Sequence, residues 1–82
     1  MDKKRIFELV SDHAREVVPE LENHVFKPEE SLKSLGANSI DRSEILMMTL
    51  ESIDLTVPLV EFAGVENIAG IVDRISSHVG QA

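Results

Sequence analysis

Three stretches of the chain carry apolar residues at the three- and four-residue spacing of an amphipathic helix, and this pattern most constrains the fold. A stripe of this kind buries one face of a helix against a neighbour, so the pattern predicts three packed helices. They cover residues 3–18, a stretch from Asn38 or Ser39 to about Ile53, and about 67–78. The stripes are Ile6, Leu9, Val10, Ala14, Val17 and Leu21; Ile45, Leu46, Thr49, Leu50 and Ile53; and Ile68, Ile71, Val72, Ile75 and Val79.

Local signals set the ends of these helices. Asp2 can cap the first one, and Pro19 ends it, because proline disfavours helical geometry at the residue before it. Pro58 can open a short helix over about 59–63, which Gly64 stops. We therefore predict an all-α fold, a small four-helix bundle of three long helices plus one short helix. It forms a single domain, residues 1–82, with a frayed tail at about 80–82.

A long connection joins the first two helices. Residues 22–37 have no sustained period, and a connection of this length in a small domain tends to be functional. Residues 31–35 can form one extra helical turn. The residues expected to pin the connection to the core are Val25, Phe26, Leu32 and Leu35.

Composition narrows the class of protein. With 82 residues the chain can build one thin core. Its net charge is −7, and residues 38–54 hold four acids against one arginine, which favours basic protein partners over nucleic acid or membranes. The charge alone is explained equally well by simple solubility. No apolar run is long enough to span a bilayer, so we expect a cytoplasmic protein, and a monomer. The chain has no cysteine, so any thioester chemistry needs a thiol from outside the sequence.

The string Leu35-Gly36-Ala37-Asn38-Ser39-Ile40 places a serine hydroxyl at the mouth of the second helix. A phosphate ester there would sit at the positive end of the helix dipole, near unpaired backbone N–H groups. On physical grounds alone a serine at this place is also explained by helix capping, and both interpretations stay open at this point.

The same string resembles the Gly-x-Asp-Ser-Leu signature of acyl carrier proteins, and the resemblance extends over nearly the whole chain. It implies that Ser39 takes phosphopantetheine from coenzyme A and that the protein is a carrier, not an enzyme. It also implies that partner enzymes dock against an acidic face of the second helix. The corresponding recognition residues here are Asn38, Ile40, Asp41, Glu44, Met47 and Glu51.

One position departs from the family pattern. Asn38 stands where the family usually has aspartate, so the cap is kept but a negative charge beside the phosphodiester is lost. Because that acid helps to place the metal in the priming transferase, Asn38 bears on which transferase modifies the protein.

A finer resemblance is to the freestanding acetyl-donor carriers of polyketide β-branching cassettes. It rests on residues 36–45 and on Val57-Pro58-Leu59-Val60-Glu61. The acceptor carriers of these cassettes have a tryptophan six residues after the serine, where this chain has Ile45. The implied partners are a phosphopantetheinyl transferase, an acyltransferase or decarboxylating ketosynthase-like enzyme, and a hydroxymethylglutaryl-CoA-synthase-like enzyme.

Two other functions stay open: a generic polyketide or fatty-acid carrier, and an unmodified acidic helical module that binds a basic partner. We predict no catalytic residue and no metal site. His13, His24 and His78 have no metal-ligand spacing and are expected to be solvated surface side chains. No Ser–His–acid triad is readable either, because Ser39 lies in no Gly-x-Ser-x-Gly elbow.

Overall fold

The computed structural model describes residues 2–79, and in this part of the chain it shows three α-helices and no strand. Helix α1 is Lys3–Val17, α2 is Ser39–Ser52 and α3 is Ile68–Val79. Two short 3-10 helices, Pro19–Leu21 and Leu59–Phe62, complete the regular structure. The all-α prediction is confirmed, and its three long helices lie almost where the periodicity places them. The predicted frayed tail, about 80–82, lies outside the described residues.

The element expected as a fourth helix is the second 3-10 helix, so residues 2–79 form three α-helices and not a four-helix bundle. Its bonds join residues three apart, from the N–H of Glu61 to the carbonyl of Pro58 (3.0 Å) and from that of Ala63 to Val60 (3.1 Å). Ala63 is extended, and Gly64 takes a positive φ of 83°. Four residues between Pro58 and this break are too few for an α-helix of ordinary length.

The helical stripes meet in one core, as the periodicity predicts. Helix α1 packs against both α2 and α3. The completely buried centre is made of side chains from all three helices: Ile6, Val10, Ile45, Thr49, Ile68 and Ile75. The one hydroxyl among them is satisfied, because Thr49 donates to the carbonyl of Ile45 (2.8 Å). No helix of residues 2–79 is long and apolar enough to cross a membrane.

Arg15 fixes the beginning of the long connection to α1. Its Nη2 donates to the carbonyl of His24 (3.0 Å), and its guanidinium lies 5.0 Å from the centroid of the Phe26 ring. Its Nη1 donates to Asp12 (3.0 Å). Phe26 is buried, so one arginine holds both the backbone and an aromatic anchor of the connection against the helix.

The middle of the connection caps α3 with its backbone. The first amides of a helix have no acceptor within the helix. Here the N–H of Ile68 donates to the carbonyl of Glu30 (2.9 Å), and that of Ala69 donates to Pro28 (2.9 Å). Asn67 Oδ1 accepts from Gly70 (2.8 Å). The start of α3 is therefore built partly from the segment that leads to α2.

The predicted anchors of the connection are confirmed except for Val25. Phe26 and Leu32 are buried and Leu35 is half-buried against the core, but Val25 is exposed. Adjacent residues of a non-helical segment point to opposite sides, so Phe26 and Val25 cannot both face the core. A count of apolar residues without a period does not reveal this.

The three histidines are not the solvated side chains that the sequence suggests, since each is half-buried beside a carboxylate. His24 Nε2 lies 3.0 Å from Glu30 Oε2, and His78 Nε2 lies 3.5 Å from Glu61 Oε1. His13 Nδ1 lies 3.7 Å from Glu16 Oε2. Each pair has one carboxylate, and the described residues contain no group of three or more potential metal ligands.

Glu30 makes the stability of the connection depend on pH. Its bond with His24, followed by the backbone N–H of Lys27 (2.7 Å), lowers the pKa of its carboxyl below the ordinary value. The folded state then binds fewer protons than the unfolded state, so this stabilisation is present above the ordinary glutamate pKa of about 4.3. It is lost as the pH falls through that value to the lower folded-state pKa.

We expect Glu30→Gln to weaken the acid sensitivity of folding. Urea unfolding from pH 6 down to about pH 3 should show a shallower loss of stability in this variant than in the wild type. Glu29→Gln removes a neighbouring carboxylate that makes no hydrogen bond within residues 2–79, and controls for the lost charge. Equal slopes for Glu30→Gln and wild type would contradict the assignment.

Candidate functional site

A hydrogen-bonded turn over residues 32–37 leads directly into α2. The N–H of Ala37 donates to the carbonyl of Leu32 (3.0 Å), and that of Gly36 donates to Lys33 (3.1 Å). This pair of bonds is the Schellman arrangement, which needs a positive φ at its next-to-last residue. Gly36 provides it, with φ 103°. Leu32 and Ala37 are both buried, so the turn is anchored in the core, and the predicted helical turn over 31–35 is the beginning of it.

Asn38 and Asp41 then cap the N-terminus of α2, each accepting a hydrogen bond from the backbone of the other. Asn38 Oδ1 accepts from the backbone N–H of Asp41 (2.8 Å), and Asp41 Oδ2 accepts from that of Asn38 (3.2 Å). This capping box satisfies two backbone donors and fixes the extended backbone of Asn38. The predicted cap is therefore present. Asp41, which the resemblance assigns to partner recognition, is half-buried and engaged in the cap.

Arg42 is a positioning residue that the sequence interpretation missed. From the first turn of α2 its Nη1 reaches back to the carbonyl of Ala37 (2.7 Å). This charge-assisted bond ties the helix to the turn that precedes it. The sequence shows only a lone cation among acids, because a bond across five residues at a helix start has no periodic signal.

Ser39 is the first residue of α2 and is exposed. Three other serines are also exposed, and their side chains are engaged: Ser34 with Ser31, Ser52 with the carbonyl of Met48, and Ser77 with that of Arg74. The helix itself gives the amides of Ser39 and Ile40 no acceptor. The Ser39 hydroxyl thus combines access from solvent with two nearby donors and the positive end of a helix dipole.

The outward face of α2 alternates apolar and acidic side chains. Ile40 is 75% exposed and Met47 49% exposed, and Glu44 and Glu51 are also exposed. Their spacing puts all four on one side of the helix, while Met48 next to Met47 is half-buried. The spacing of residues along the helix therefore correctly predicts that these four side chains point away from the core.

A groove of about 530 Å³ runs beside the first turns of α2. Leu46, Phe62 and Ile71 form part of its apolar wall, and Arg42 and Lys33 lie at its polar side. It joins α2, α3, the second 3-10 helix and the long connection. The sequence gives no sign of it, because its walls come from four separate segments.

One Ser–His–acid arrangement does exist, at the other end of α2. Ser52 Oγ lies 2.9 Å from His13 Nε2, and Glu16 lies on the other side of the imidazole. The Ser52 hydroxyl donates to the carbonyl of Met48 (2.9 Å). A helix C-terminus presents carbonyl oxygens, so no backbone donor can stabilise an oxyanion there. The arrangement links α1 to α2 and lacks the parts of a hydrolytic site.

The chain matches the model of the phosphopantetheine attachment site family over residues 8–75. It belongs to this family of carrier proteins. The predicted family is thereby confirmed, and the protein is an acyl carrier, not a catalyst. A member of the family carries 4′-phosphopantetheine covalently on a serine, and the arm supplies the thiol that a chain without cysteine lacks.

Two known proteins are similar to this carrier over its length. The polyketide biosynthesis acyl-carrier-protein AcpK of Bacillus subtilis (strain 168) is 45% identical over 82 residues, which are 100% of both chains. A solved chain has a TM-score of 0.88 and 38% identity, and the match covers 94% of this carrier and 99% of that chain. It comes from the crystal structure of the curacin biosynthetic pathway HMG synthase in complex with an acetyl donor-ACP.

The geometry at Ser39 fits a phosphodiester. The hydroxyl is exposed, and the free amides of Ser39 and Ile40 can face the negative phosphate oxygens. Gly36 and the capping box hold the backbone on the N-terminal side, and Arg42 holds the carbonyl of Ala37. These residues fix the backbone around Ser39.

The Asn38 cap should contribute to stability through its side-chain oxygen. We expect Asn38→Ala to lower the free energy of unfolding by about 0.5–2 kcal/mol, and Asn38→Asp to be nearly neutral because aspartate also caps. Urea unfolding of the unmodified proteins checks this, with Asn23→Ala, an exposed asparagine outside any helix, as the control. An alanine variant as stable as the control would contradict the role of the cap.

Proposed function

We propose that this carrier holds an acetyl group as a thioester on a phosphopantetheine arm at Ser39. It delivers the acetyl group to a hydroxymethylglutaryl-CoA-synthase-like enzyme in polyketide β-branching. The observation that carries the attachment point is the hydroxyl of Ser39, the first residue of α2, which is exposed and makes no hydrogen bond within residues 2–79. We further propose that residues 1–82 are a single carrier domain that works in the cytoplasm as a monomer.

The surroundings of other serines in the chain make them poorer attachment points than Ser39. Ser11 is buried and donates to the carbonyl of Phe7 (2.9 Å). Ser52 and Ser77 lie in the last turns of their helices, where the dipole disfavours an added phosphate. Ser43 is the nearest other serine on α2, but it is half-buried. Ser39 alone combines exposure with the positive end of a long helix.

The donor role is supported by the two similar proteins and by Ile45. One relative is a polyketide carrier, and the solved one is an acetyl donor bound to its synthase. The acceptor carriers have tryptophan at the position of Ile45, which is completely buried here. A side chain as large as tryptophan would overpack this core. The core of this chain therefore favours the donor type.

Three classes of enzyme are the proposed partners. A phosphopantetheinyl transferase moves the arm from coenzyme A to Ser39: the bond from Ser39 Oγ to phosphorus forms, the pyrophosphate bond of coenzyme A breaks, and adenosine 3′,5′-bisphosphate leaves. The transferase removes the serine proton and so supplies the activation. An acyltransferase or a decarboxylating ketosynthase-like enzyme loads the acyl group, and the synthase-like enzyme accepts it. Ile40, Glu44, Met47 and Glu51 form the outward docking face, which Asn38 and Asp41 join at the helix start.

Ser39→Ala should abolish attachment of the arm. Intact mass after incubation with coenzyme A and a broad-specificity transferase should rise by one arm for the wild type and not for this variant. Ser43→Ala is the matched control on the same helix and should be modified like the wild type. Modification of Ser39→Ala, or none of the wild type, would overturn the proposed attachment point.

Reversing two charges of the docking face should slow acetyl transfer to the synthase-like enzyme. The acidic side chains act mainly on the encounter rate, so Glu44→Lys with Glu51→Lys should lower transfer roughly tenfold at low salt, and less as salt rises. Glu20→Lys with Glu22→Lys changes the net charge equally on exposed residues elsewhere. Equal losses in both double variants would show that net charge alone matters. No loss at low salt would remove the acidic face from the proposal.

A further inference from the structure

We propose that Arg42 binds the phosphodiester of the phosphopantetheine arm and thereby orients the arm where it leaves the protein. The inference deepens the function proposed above and rests on Ser39 as the attachment point. The ligand is the negatively charged phosphodiester, and the group that binds it is the guanidinium of Arg42.

The position of Arg42 is the first observation. It follows Ser39 by three residues on α2, and residues at this spacing are neighbours on a helix surface. Its side chain runs back toward the start of the helix, because Nη1 donates to the carbonyl of Ala37 (2.7 Å). Ala37 lies two residues before Ser39. The guanidinium is therefore held at the end of α2 where the arm is attached.

Most of the hydrogen-bonding capacity of this guanidinium is free. A guanidinium carries several N–H donors in a planar fork. The bond to Ala37 is the single hydrogen bond of the Arg42 side chain within residues 2–79. Arginine pairs with phosphate through two parallel N–H groups, so the free donors suit a phosphodiester.

Arg42 also has no carboxylate partner within residues 2–79. The two arginines of α1 are both paired, Arg5 with Glu8 (3.9 Å) and Arg15 with Asp12 (3.0 Å). Arg42 is half-buried, and burial of a charge costs free energy unless an opposite charge compensates it. An anion bound to this guanidinium would therefore stabilise the folded protein.

Three carboxylates share this region with Arg42, and none pairs with it. Asp41 accepts from the backbone N–H of Asn38 in the capping box. Glu29 and Glu66 line the same groove as Arg42 but form no ion pair with it. Asn38 adds no charge, although the family usually has aspartate there. The anion that the family brings to this end of α2 is the phosphodiester.

The place of Arg42 is unfavourable for the helix by itself. The first turn of a helix is the positive end of its dipole, so a cation there lowers helix stability. Arg42 is also the single lysine or arginine in residues 34–73, which contain seven acids. A phosphate that binds this cation explains why it stands at the disfavoured end of α2.

Binding of the phosphodiester limits the directions in which the arm can leave the protein. The arm has many rotatable bonds, and a contact at its first group restrains that end while the thiol end stays free. A partner enzyme then receives an arm that has less conformational freedom to lose.

The test compares primed and unprimed forms of each protein. Arg42→Gln removes the charge, and Arg42→Lys keeps it on a different group. Lys33→Gln is the matched control, since Lys33 is exposed, lines the same groove and changes the net charge equally. Intact mass checks that priming is complete. Loss of the bond to Ala37 affects Arg42→Gln in both forms, so the change in melting temperature on priming isolates the contact with the phosphate.

We expect the change in melting temperature on priming to be about 3–5 °C less favourable for Arg42→Gln than for the wild type. Arg42→Lys should recover about half of this difference, because its charge remains without the planar fork. Lys33→Gln should match the wild type, and the difference should shrink as salt rises.

Phosphorus NMR of the primed proteins gives a second measurement at the group itself. The phosphorus signal of the arm should move in Arg42→Gln toward its position in the urea-unfolded wild type. It should stay in place in Lys33→Gln.

Several results would overturn the inference while leaving the carrier function intact. They are a wild-type change on priming in Arg42→Gln, an equal loss in Lys33→Gln, a lysine variant no better than the glutamine variant, and an unmoved phosphorus signal in Arg42→Gln. If Arg42→Gln resists priming, the comparison of Arg42→Lys with Lys33→Gln decides in the same way. A wild type that takes no arm on Ser39 would instead remove the proposed attachment point, and its intact mass separates the two cases.

Discussion

The backbone of the long connection is the element on which the rest of the structure depends. Its carbonyls at Pro28 and Glu30 cap the first amides of α3, and its turn at Gly36 leads into α2. One irregular segment therefore caps the first turn of α3 and leads directly into the first turn of α2. Arg15 holds this segment against α1. If this segment lost its order, the first amides of α3 would lose their acceptors, and Ser39 would move at the same time. The segment is long because it must meet all three helices, which a short loop could not do.

Much of the fold could be predicted because helix stripes have a period. The buried faces of α1, α2 and α3 follow the spacing of their apolar residues. The start of α2 is predictable from Asn38, because asparagine is a favoured N-cap residue. The same logic places Ile40 and Met47 on the outward side. It fails for Val25, since a segment without a period does not indicate which of two adjacent apolar residues faces the core.

The parts that escaped prediction are contacts between residues distant in sequence or at irregular spacing. Arg42 reaches back five residues to the carbonyl of Ala37, and His13 meets Ser52 across the interface of α1 and α2. Neither contact has a local signature. The 3-10 form of Leu59–Phe62 follows from the short span between Pro58 and the break at Ala63, and the spacing of apolar residues does not distinguish such a segment from one turn of α-helix.

Features that do little for folding are concentrated between residues 40 and 60. Ile40 and Val60 expose apolar surface. Asp54 has φ 53° at the end of α2, a left-handed conformation that costs an L-residue other than glycine about 1–2 kcal/mol. Asp54 also adds a negative charge just after the C-terminal end of α2, the negative end of the helix dipole. The exposed side of α1 differs, since it pairs its charges, as Arg15 does with Asp12 (3.0 Å). Departures from local stability rules that collect in one region are typical of a functional surface. Because α1 packs against both other helices, this small fold can keep such residues together on one segment without losing its core.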